Sequence, residues 1–306
     1  MQGTLNHPVG FAGVGLHSGA PVSMTVQPAP ADHGIVFVRT DLTEGDRSVP
    51  ARWDRVMPSK LCTQIANPSG VAVSTVEHVM AALAGCGIHN ARILVDGPEV
   101  PILDGSSRPF VEAFLAAGTA MQEAPVRAVR ILKPVEVREG EAVARLEPAE
   151  MLEIDFSIDF ADRAIGRQEK SLSLANGNFV RELSDSRTFC RMADVEAMRA
   201  GGLAQGGTFE NAVVVDGADV LSPGGFRRAD EPVRHKMLDA VGDLALAGGP
   251  ILGRYVGVRA GHALTNRLLR ALFATAGAWE WVDCGAATGC KLPGVGVSPA
   301  DLPATA

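Results

Sequence analysis

The sequence predicts an α+β fold made of two similar units, and three observations support this prediction. Strand-like segments bounded by Gly and Pro accompany a few helical segments in each half of the 306-residue chain. The order of strands and helices in the first ~120 residues recurs after Pro125. The segments "HVMAALAG" (78–85) and "HKMLDAVG" (235–242) share His, Met and Gly in register, and a strand follows each. We therefore predict a duplicated α+β unit whose two repeated helices face each other.

The first unit is assigned to residues 1–124. The segments "PVSMTVQPAP", "HGIVFVRTDL" and "NARILVDG" have the composition of strands. Residues 74–87 are predicted to form a helix because Val76, Val79, Met80 and Leu83 lie on one face. Ser74 is the predicted N-cap and Gly85 the predicted C′ residue of this helix. "RPFVEAFLAAG" is predicted to be a second helix.

The second unit is assigned to residues 125–300. Strands through "LEIDFSIDF", a helix around 176–184, a helix in "RHKMLDAVGDLALAGG" and a strand in "ILGRYVGVRAG" repeat the order of the first unit. Residues 301–306, "DLPATA", are predicted to be a loose tail.

Composition narrows the functional class. A hydrophobic fraction of 46% with 21% charged residues is typical of a globular protein with a substantial core. The net charge of -7 argues against bulk nucleic-acid binding. Five cysteines without a CxxC pair indicate reduced thiols in the cytoplasm. We predict no signal peptide and no membrane-spanning helix, because no basic-apolar leader or long apolar run is present.

The helix around 235–245 carries a polar arc with metal-ligand character. On a helical wheel His235, Asp239, Asp243 and Lys236 fall within about 100° of one another. One interpretation is a solvated face with an ordinary i, i+4 pair. The other is a metal site completed by His78, which points away from the apolar stripe of its own helix. His78 alone is equally compatible with an exposed or a core histidine.

Taken together, these side chains match catalytic rather than structural zinc. His78, His235 and Asp239 supply two nitrogens and one oxygen, and leave a fourth position for water. Glu77 is a candidate base, although "STVE" is also a capping-box sequence with Ser74 and Glu77 in its two positions. His262, on a Gly-flanked turn, is a candidate general acid that Asp243 would keep protonated.

Two glycine-containing motifs favour simpler interpretations. "GVGLHSG" (13–19) leads into a strand, so a dinucleotide-binding loop is disfavoured. "DGSSRPF" (104–110) lacks a lysine in P-loop register, so it is predicted to be a helix-entry turn.

Seven ordered motifs resemble a known family. "GVGLHSG", "RTDL", "STVEHVMAALAG", "PILDGSSRPF", "SRTF", "VRHKMLDAVGDL" and "GHAL" occur in the order found in UDP-3-O-acyl-N-acetylglucosamine deacetylases, the zinc-dependent enzymes of lipid A biosynthesis in Gram-negative bacteria. The resemblance implies two domains, each a mostly antiparallel sheet with a pair of helices, and the helices sandwiched between the two sheets. It places the site at the domain junction, with zinc on His78, His235 and Asp239.

The resemblance also implies roles for other residues. Glu77 is the base, His262 with Asp243 the acid, and the Thr188 hydroxyl an oxyanion donor. Lys236 and Phe189 lie near the substrate, Phe160 stacks on uracil, and Arg259 lies near the diphosphate. An insert at about 190–215 forms a passage for the acyl chain, lined by Met192, Val195, Ala204, Gly207, Phe209 and Ala212; the alternative is an ordinary βαβ insert with its own small core.

The chain departs from the family pattern at Pro232, Cys190, Ala260 and Thr265, none of which is a ligand or catalytic group. The expected function is removal of the N-acetyl group from the UDP-sugar by a cytoplasmic monomer that binds no nucleic acid. The alternatives are a zinc hydrolase of another amide, and a binding module in which zinc is structural or absent.

Overall fold

The computed structural model describes residues 1–304, so the last two residues of the predicted tail lie outside the described part. The strands are β1 (Gln2–Leu5), β2 (Val9–Val14), β3 (Pro21–Pro28), β4 (Ile35–Arg39), β5 (Ser48–Pro50), β6 (Val56–Met57), β7 (Gln64–Ala66), β8 (Ala72–Ser74), β9 (Ala91–Val95), β10 (Thr119–Gln122), β11 (Arg127–Ile131), β12 (Val135–Glu139), β13 (Ala142–Glu147), β14 (Leu152–Asp159), β15 (Arg167–Ser173), β16 (Phe189–Arg191), β17 (Val213–Asp216), β18 (Asp219–Val220), β19 (Ile251–Val258) and β20 (Trp279–Asp283).

The α-helices are α1 (Glu77–Gly85), α2 (Arg108–Ala117), α3 (Asn178–Glu182), α4 (Met192–Ala200), α5 (Glu231–Ala245), α6 (His262–Ala274) and α7 (Ala286–Gly289). Short 3-10 helices cover Trp53–Arg55 and Pro299–Asp301. The α+β class is therefore confirmed, and the predicted strands and helices of both halves are present.

The first half is built on a five-stranded sheet in the order β2-β3-β9-β4-β5. Its pairs are antiparallel except for β4 with β9. Alternation of buried and exposed residues along β3 places one face of the sheet against the core. Helix α2 packs on β2, and α1 packs on α2. The short strands β6, β7 and β8 form a separate sheet.

The second half is built on a seven-stranded sheet around β19. Strand β19 pairs antiparallel with β13 and parallel with β14 and β11. Helix α6 packs on β12 and β13, while α5 packs on β14 and β15. A βαβ unit of β16, α4 and β17 is present where the insert was predicted, with the two strands parallel.

Helices α1 and α5 pack directly against each other, as the internal repeat predicts. Gly85 and Gly242, which occupy equivalent positions in the repeat, both lie at close contacts with other parts of the chain. A Cβ on Gly242 of α5 would lie 2.0 Å from the carbonyl oxygen of Glu77, and a Cβ on Gly85 would lie 1.9 Å from the Phe179 ring. The alanines at 81 and 82 are fully buried. The small residues beside His78 therefore allow the helix of the other half to approach.

The predicted caps of α1 are wrong. The N-cap is Val76, and the Ser74 hydroxyl instead accepts a hydrogen bond from the Gln64 amide. Gly85 is the last helical residue, whereas the left-handed residue after the helix is Gly87, with φ of 69°. The conformation of Gly85 is ordinary, and its small size is explained by the Phe179 contact.

The cysteines and the helix lengths bear on two of the expectations from the sequence. Cys62, Cys86, Cys190, Cys284 and Cys290 are all free. Within residues 1–304, every helix is too short or too polar to span a bilayer.

We expect Gly242→Ala to lower the free energy of unfolding by about 1–3 kcal/mol, because the new methyl group would push α5 away from the Glu77 backbone. Urea denaturation measures the change. Gly289→Ala is the control, since Gly289 is also helical and a Cβ there meets open space. Equal stability of the two variants would contradict the close packing of α1 and α5.

Candidate metal centre and active site

Three predicted ligands converge where α1 meets α5. His78 is the second residue of α1, while His235 and Asp239 lie one turn apart on α5. All three are buried, and one ligand atom from each lies within 4.8 Å of the others. The Asp239 Oδ1 atom is 3.6 Å from His78 Nε2 and 3.3 Å from His235 Nε2. Ligands bound at about 2.0–2.1 Å to one tetrahedral ion lie roughly 3.4 Å apart, so these distances fit a metal.

The hydrogen bonds around this group also fit a metal ion. Asp239 Oδ1 is buried without a hydrogen-bond partner, which is unusual for a carboxylate oxygen. His235 Nδ1 lies 3.0 Å from the carbonyl oxygen of Ser186 and donates its proton there, which leaves Nε2 free to bind metal. The interpretation of this polar arc as a solvated face is therefore wrong.

Burial and nearby charge give His235 and Asp239 the protonation states that metal binding requires. Burial lowers the pKa of His235 to about 4, so its imidazole is neutral at pH 7. Burial opposes the charge of Asp239, but its positive partners outweigh this and hold its pKa well below the usual range. Among them, the Lys236 ammonium donates to Asp239 Oδ2 over 2.7 Å.

Glu77 lies beside the metal group and outside its ligand set. Its carboxylate is buried and accepts a hydrogen bond from the Thr63 backbone N–H over 3.0 Å. The alternative capping-box interpretation of Glu77 is wrong, because Val76 and not Ser74 is the N-cap, and the Glu77 carboxylate accepts from the Thr63 N–H instead. Burial raises the pKa of the Glu77 carboxyl above its usual value, which makes the carboxylate a stronger base.

His262 and Asp243 form a hydrogen-bonded pair facing Glu77. His262 Nδ1 lies 2.9 Å from Asp243 Oδ2, and its Nε2 lies 3.9 Å from Glu77 Oε1. Burial opposes the imidazolium charge, but Asp243 and Asp239 outweigh it and raise the pKa of His262 to about 9. One detail of the prediction is wrong. His262 is the first residue of α6, so a helix start rather than a free turn fixes its direction.

Backbone groups of the "SRTF" segment make hydrogen bonds on both sides of Arg187. The Ser186 carbonyl accepts from His235, and the Thr188 N–H donates to the Gly105 carbonyl over 2.7 Å. Between them, the buried Arg187 guanidinium donates to both oxygens of Glu231, at the start of α5. This ion pair ties Thr188 to the helix that carries two of the ligands.

Of the two aromatic residues predicted to bind substrate, Phe189 lies next to the candidate ligand His235, and Phe160 packs on Phe189. The Phe160 and Phe189 rings meet edge to face with centroids 5.5 Å apart, and Phe189 lies 6.2 Å from the His235 ring. Arg259 follows β19 with φ of 48° and is paired with Asp159 and Glu141. Its positive charge is therefore shared with two carboxylates.

The predicted passage residues belong to the insert and differ in exposure. Met192 and Phe209 are exposed, Val195, Ala204 and Gly207 are partly exposed, and Ala212 is buried. The insert docks on the "GVGLHSG" turn of the first half. There the Gly206 N–H donates to the Leu16 carbonyl and the Gln205 N–H to the His17 carbonyl. No helix follows this turn, as expected.

The departures from the family pattern lie outside the ligand set. Pro232 is in the first turn of α5, Cys190 lies in β16, and Ala260 is buried before α6. The Thr265 hydroxyl is 3.0 Å from the Tyr255 hydroxyl.

Two residues that hold the site through hydrogen bonds, Thr63 and Ser107, were not predicted from the sequence. Thr63 contacts both Glu77 and Asp243, and the Ser107 hydroxyl donates to the His78 carbonyl over 2.8 Å. Ser107 lies in the helix-entry turn "DGSSRPF", as that motif predicts, but its distant partner has no local signature. Thr63 precedes a short strand and likewise carries no sequence signal for a site residue.

The α+β fold and the buried two-histidine, one-aspartate group beside Glu77 and His262 define the class of protein as a metal-dependent hydrolase. The chain belongs to the family LpxC, UDP-3-O-acyl N-acetylglycosamine deacetylase, whose sequence model matches residues 2–274.

Three proteins named UDP-3-O-acyl-N-acetylglucosamine deacetylase are among its relatives. The protein of Phenylobacterium zucineum is 51% identical over 280 residues, which cover 92% of this chain and 96% of the relative. That of Anaeromyxobacter sp. is 49% identical over 276 residues, or 90% of each chain. That of Shewanella sp. is 47% identical over 285 residues, which cover 92% of this chain and 93% of the relative.

Proposed function

We propose that this chain is a zinc-dependent hydrolase that removes the N-acetyl group from UDP-3-O-acyl-N-acetylglucosamine. The products are acetate and the free amino sugar, and the reaction is a committed step of lipid A biosynthesis. The observation that carries the proposal is the convergence of His78, His235 and Asp239 with Glu77 and His262 in one buried site, within a chain of this family.

Zinc is the metal that this donor set favours. Two imidazole nitrogens and one carboxylate oxygen are ligands of catalytic zinc, held here by His78, His235 and Asp239. When bound, zinc supplies Lewis-acid chemistry: it makes a water molecule more acidic and polarises a carbonyl oxygen. The Ser186 carbonyl orients His235 by accepting a hydrogen bond from Nδ1, and the Lys236 ammonium donates to Oδ2 of Asp239.

The other residues supply proton transfer and charge stabilisation. Glu77 accepts the proton of the water that attacks the acetamide carbonyl carbon. The Thr188 hydroxyl donates to the oxygen that becomes negative in the tetrahedral intermediate. His262, kept protonated by Asp243, gives a proton to the nitrogen as the C–N bond breaks, so the amine leaves neutral. Glu77 gains one proton and His262 loses one, so the total number of protons on these two groups is the same before and after the hydrolysis.

The substrate is bound by residues on either side of this chemistry. Phe160 stacks on uracil, Phe189 and Lys236 contact the sugar region, and Arg259 lies near the diphosphate. The acyl chain follows the passage of Met192, Val195, Ala204, Gly207, Phe209 and Ala212. The exposure of two large apolar side chains, Met192 and Phe209, supports a lipid-binding surface on the insert.

The site lies where two domains meet, residues 1–124 and 125–300. This division is supported by the sheets, since within residues 1–304 each sheet takes its strands from one side of Pro125. Contacts of α1 with α5, of α2 with β2 and of α5 with β14 support helices sandwiched between two sheets. We expect a cytoplasmic monomer that binds the UDP-sugar and no nucleic acid.

Metal content and acetate release test the proposal together. We expect one zinc per chain, acetate release from the UDP-acyl-sugar, loss of turnover after chelation and recovery with added zinc. Metal-free protein that still turns over would contradict the mechanism. Activity on other amides with none on the UDP-sugar would favour a different hydrolase, and zinc bound without any turnover would favour a binding module.

A further inference from the structure

Thr63 lies between two carboxylates that the proposed reaction uses for proton transfer. Its backbone N–H donates to Glu77 Oε2 over 3.0 Å, and its hydroxyl donates to Asp243 Oδ1 over 2.5 Å. Thr63 is 3% exposed, so water does not compete for these bonds. It precedes β7 in the first half, whereas Asp243 lies on α5 of the second half. Thr63 therefore links Glu77, the proposed base, to Asp243, the carboxylate that pairs with His262.

Thr63 occupies one oxygen of each carboxylate, and the other oxygen of each faces His262. Glu77 Oε1 lies 3.9 Å from His262 Nε2, and Asp243 Oδ2 lies 2.9 Å from His262 Nδ1. A carboxylate can rotate about the bond to its side-chain carbon, and a partial rotation leaves a buried oxygen without a donor, which is unfavourable. The two Thr63 donors restrict this rotation, because turning either carboxylate out of its present plane would break a buried hydrogen bond.

We propose that Thr63 is a positioning residue that fixes the orientation of the Glu77 and Asp243 carboxylates, so that one oxygen of each faces His262. The inference rests on the proposed function, since it takes Glu77 as the base and His262 as the acid. Thr63 bonds none of the three metal ligands, so its effect falls on proton transfer and leaves metal binding unchanged.

The test is Thr63→Val, which removes the hydroxyl, keeps the shape and retains the backbone donor to Glu77. We expect kcat to fall by roughly 10- to 100-fold, the effect expected from losing one hydrogen bond to a buried carboxylate. KM and zinc content should stay at wild-type values, because the hydroxyl bonds Asp243, which is neither a predicted substrate-binding residue nor a candidate metal ligand. Thr63→Ser restores the hydroxyl and should recover most of kcat. Thr63→Ala, which also lacks the hydroxyl, replaces Thr63→Val if valine prevents folding.

Thr4→Val is the matched control. The buried Thr4 hydroxyl donates to the Asn90 carbonyl over 2.7 Å, so this variant loses a buried hydrogen bond far from the carboxylates. We expect it to lose stability and to keep wild-type kcat. A Thr63→Val variant that does the same would reduce Thr63 to a structural role and overturn the proposal, as would a Thr63→Ser variant as slow as Thr63→Val.

A second measurement is independent of turnover. The Nδ1–H proton of His262, assigned by its loss in His262→Ala, reports the hydrogen bond to Asp243 in NMR spectra. We expect Thr63→Val to shift this resonance, and Thr63→Ser and Thr4→Val to leave it in place. If the wild-type protein released no acetate, the proposed function would fail while this comparison still decided the role of Thr63. An unchanged resonance in Thr63→Val would overturn the inference.

Discussion

Glu77→Gln should lower kcat by roughly 10²- to 10⁴-fold, the usual contribution of a positioned general base. Glutamine keeps the size of the side chain and an oxygen for the Thr63 N–H, but it cannot accept the proton of the attacking water. Burial raises the pKa of the Glu77 carboxyl, so the native group is a stronger base than an exposed glutamate. Acetate release under saturating substrate measures the loss.

Metal content decides how the Glu77→Gln result is understood. We expect one zinc per chain in the variant, because Glu77 lies outside the group formed by His78, His235 and Asp239. Glu112→Gln, which removes a carboxylate on α2 outside the site, should keep both zinc and kcat. Loss of zinc in Glu77→Gln would make Glu77 a ligand, and an unchanged kcat would remove it from the mechanism.

His262→Ala should abolish the basic limb of the pH–rate profile and lower the rate at its optimum by roughly 10²- to 10⁴-fold. The acid acts only when protonated, so activity persists below the pKa of His262 and falls as the pH rises through it. That pKa is raised to about 9 by Asp243 and Asp239 against the opposing effect of burial. A divalent metal beside the imidazolium lowers this value, which places the limb of the zinc-loaded enzyme below pH 9.

Two variants separate the His262 effect from general damage. His89→Ala removes a half-buried imidazole that accepts a hydrogen bond from the Gly3 N–H, far from the carboxylates, and should retain the basic limb. Asp243→Asn leaves the imidazole without its carboxylate partner and should move the limb to lower pH. A His262→Ala profile with its basic limb intact would assign that limb to another group.

Local sequence patterns predicted most of the elements and placed two of the three candidate ligands together, because both depend on short periodicities. The i, i+4 spacing places His235 and Asp239 on one side of α5 whatever the rest of the chain does. The repeated glycines likewise anticipated the facing helices, although the reason, contacts of Gly242 and Gly85 with distant residues, appears only in the folded chain.

Residues whose roles depend on distant partners could not be predicted in the same way. "STVE" is a sound capping-box pattern, but Glu77 turns to the Thr63 N–H and the site, and Ser74 pairs with Gln64. Thr63 has no distinguishing neighbours in sequence, and Asp243, 180 positions away, gives it its role. The start of α6 at His262 was also missed, because Gly261 favours both a turn and a helix N-cap.

Anomalous diffraction at the zinc absorption edge, from crystals of the zinc-loaded protein, tests the proposed metal centre most directly. We predict one peak bonded to a nitrogen of His78, a nitrogen of His235 and an oxygen of Asp239, at about 2.0–2.2 Å from each, with Glu77 unbonded. A peak elsewhere, a fourth protein ligand on the ion, or no peak in active crystals would contradict this account.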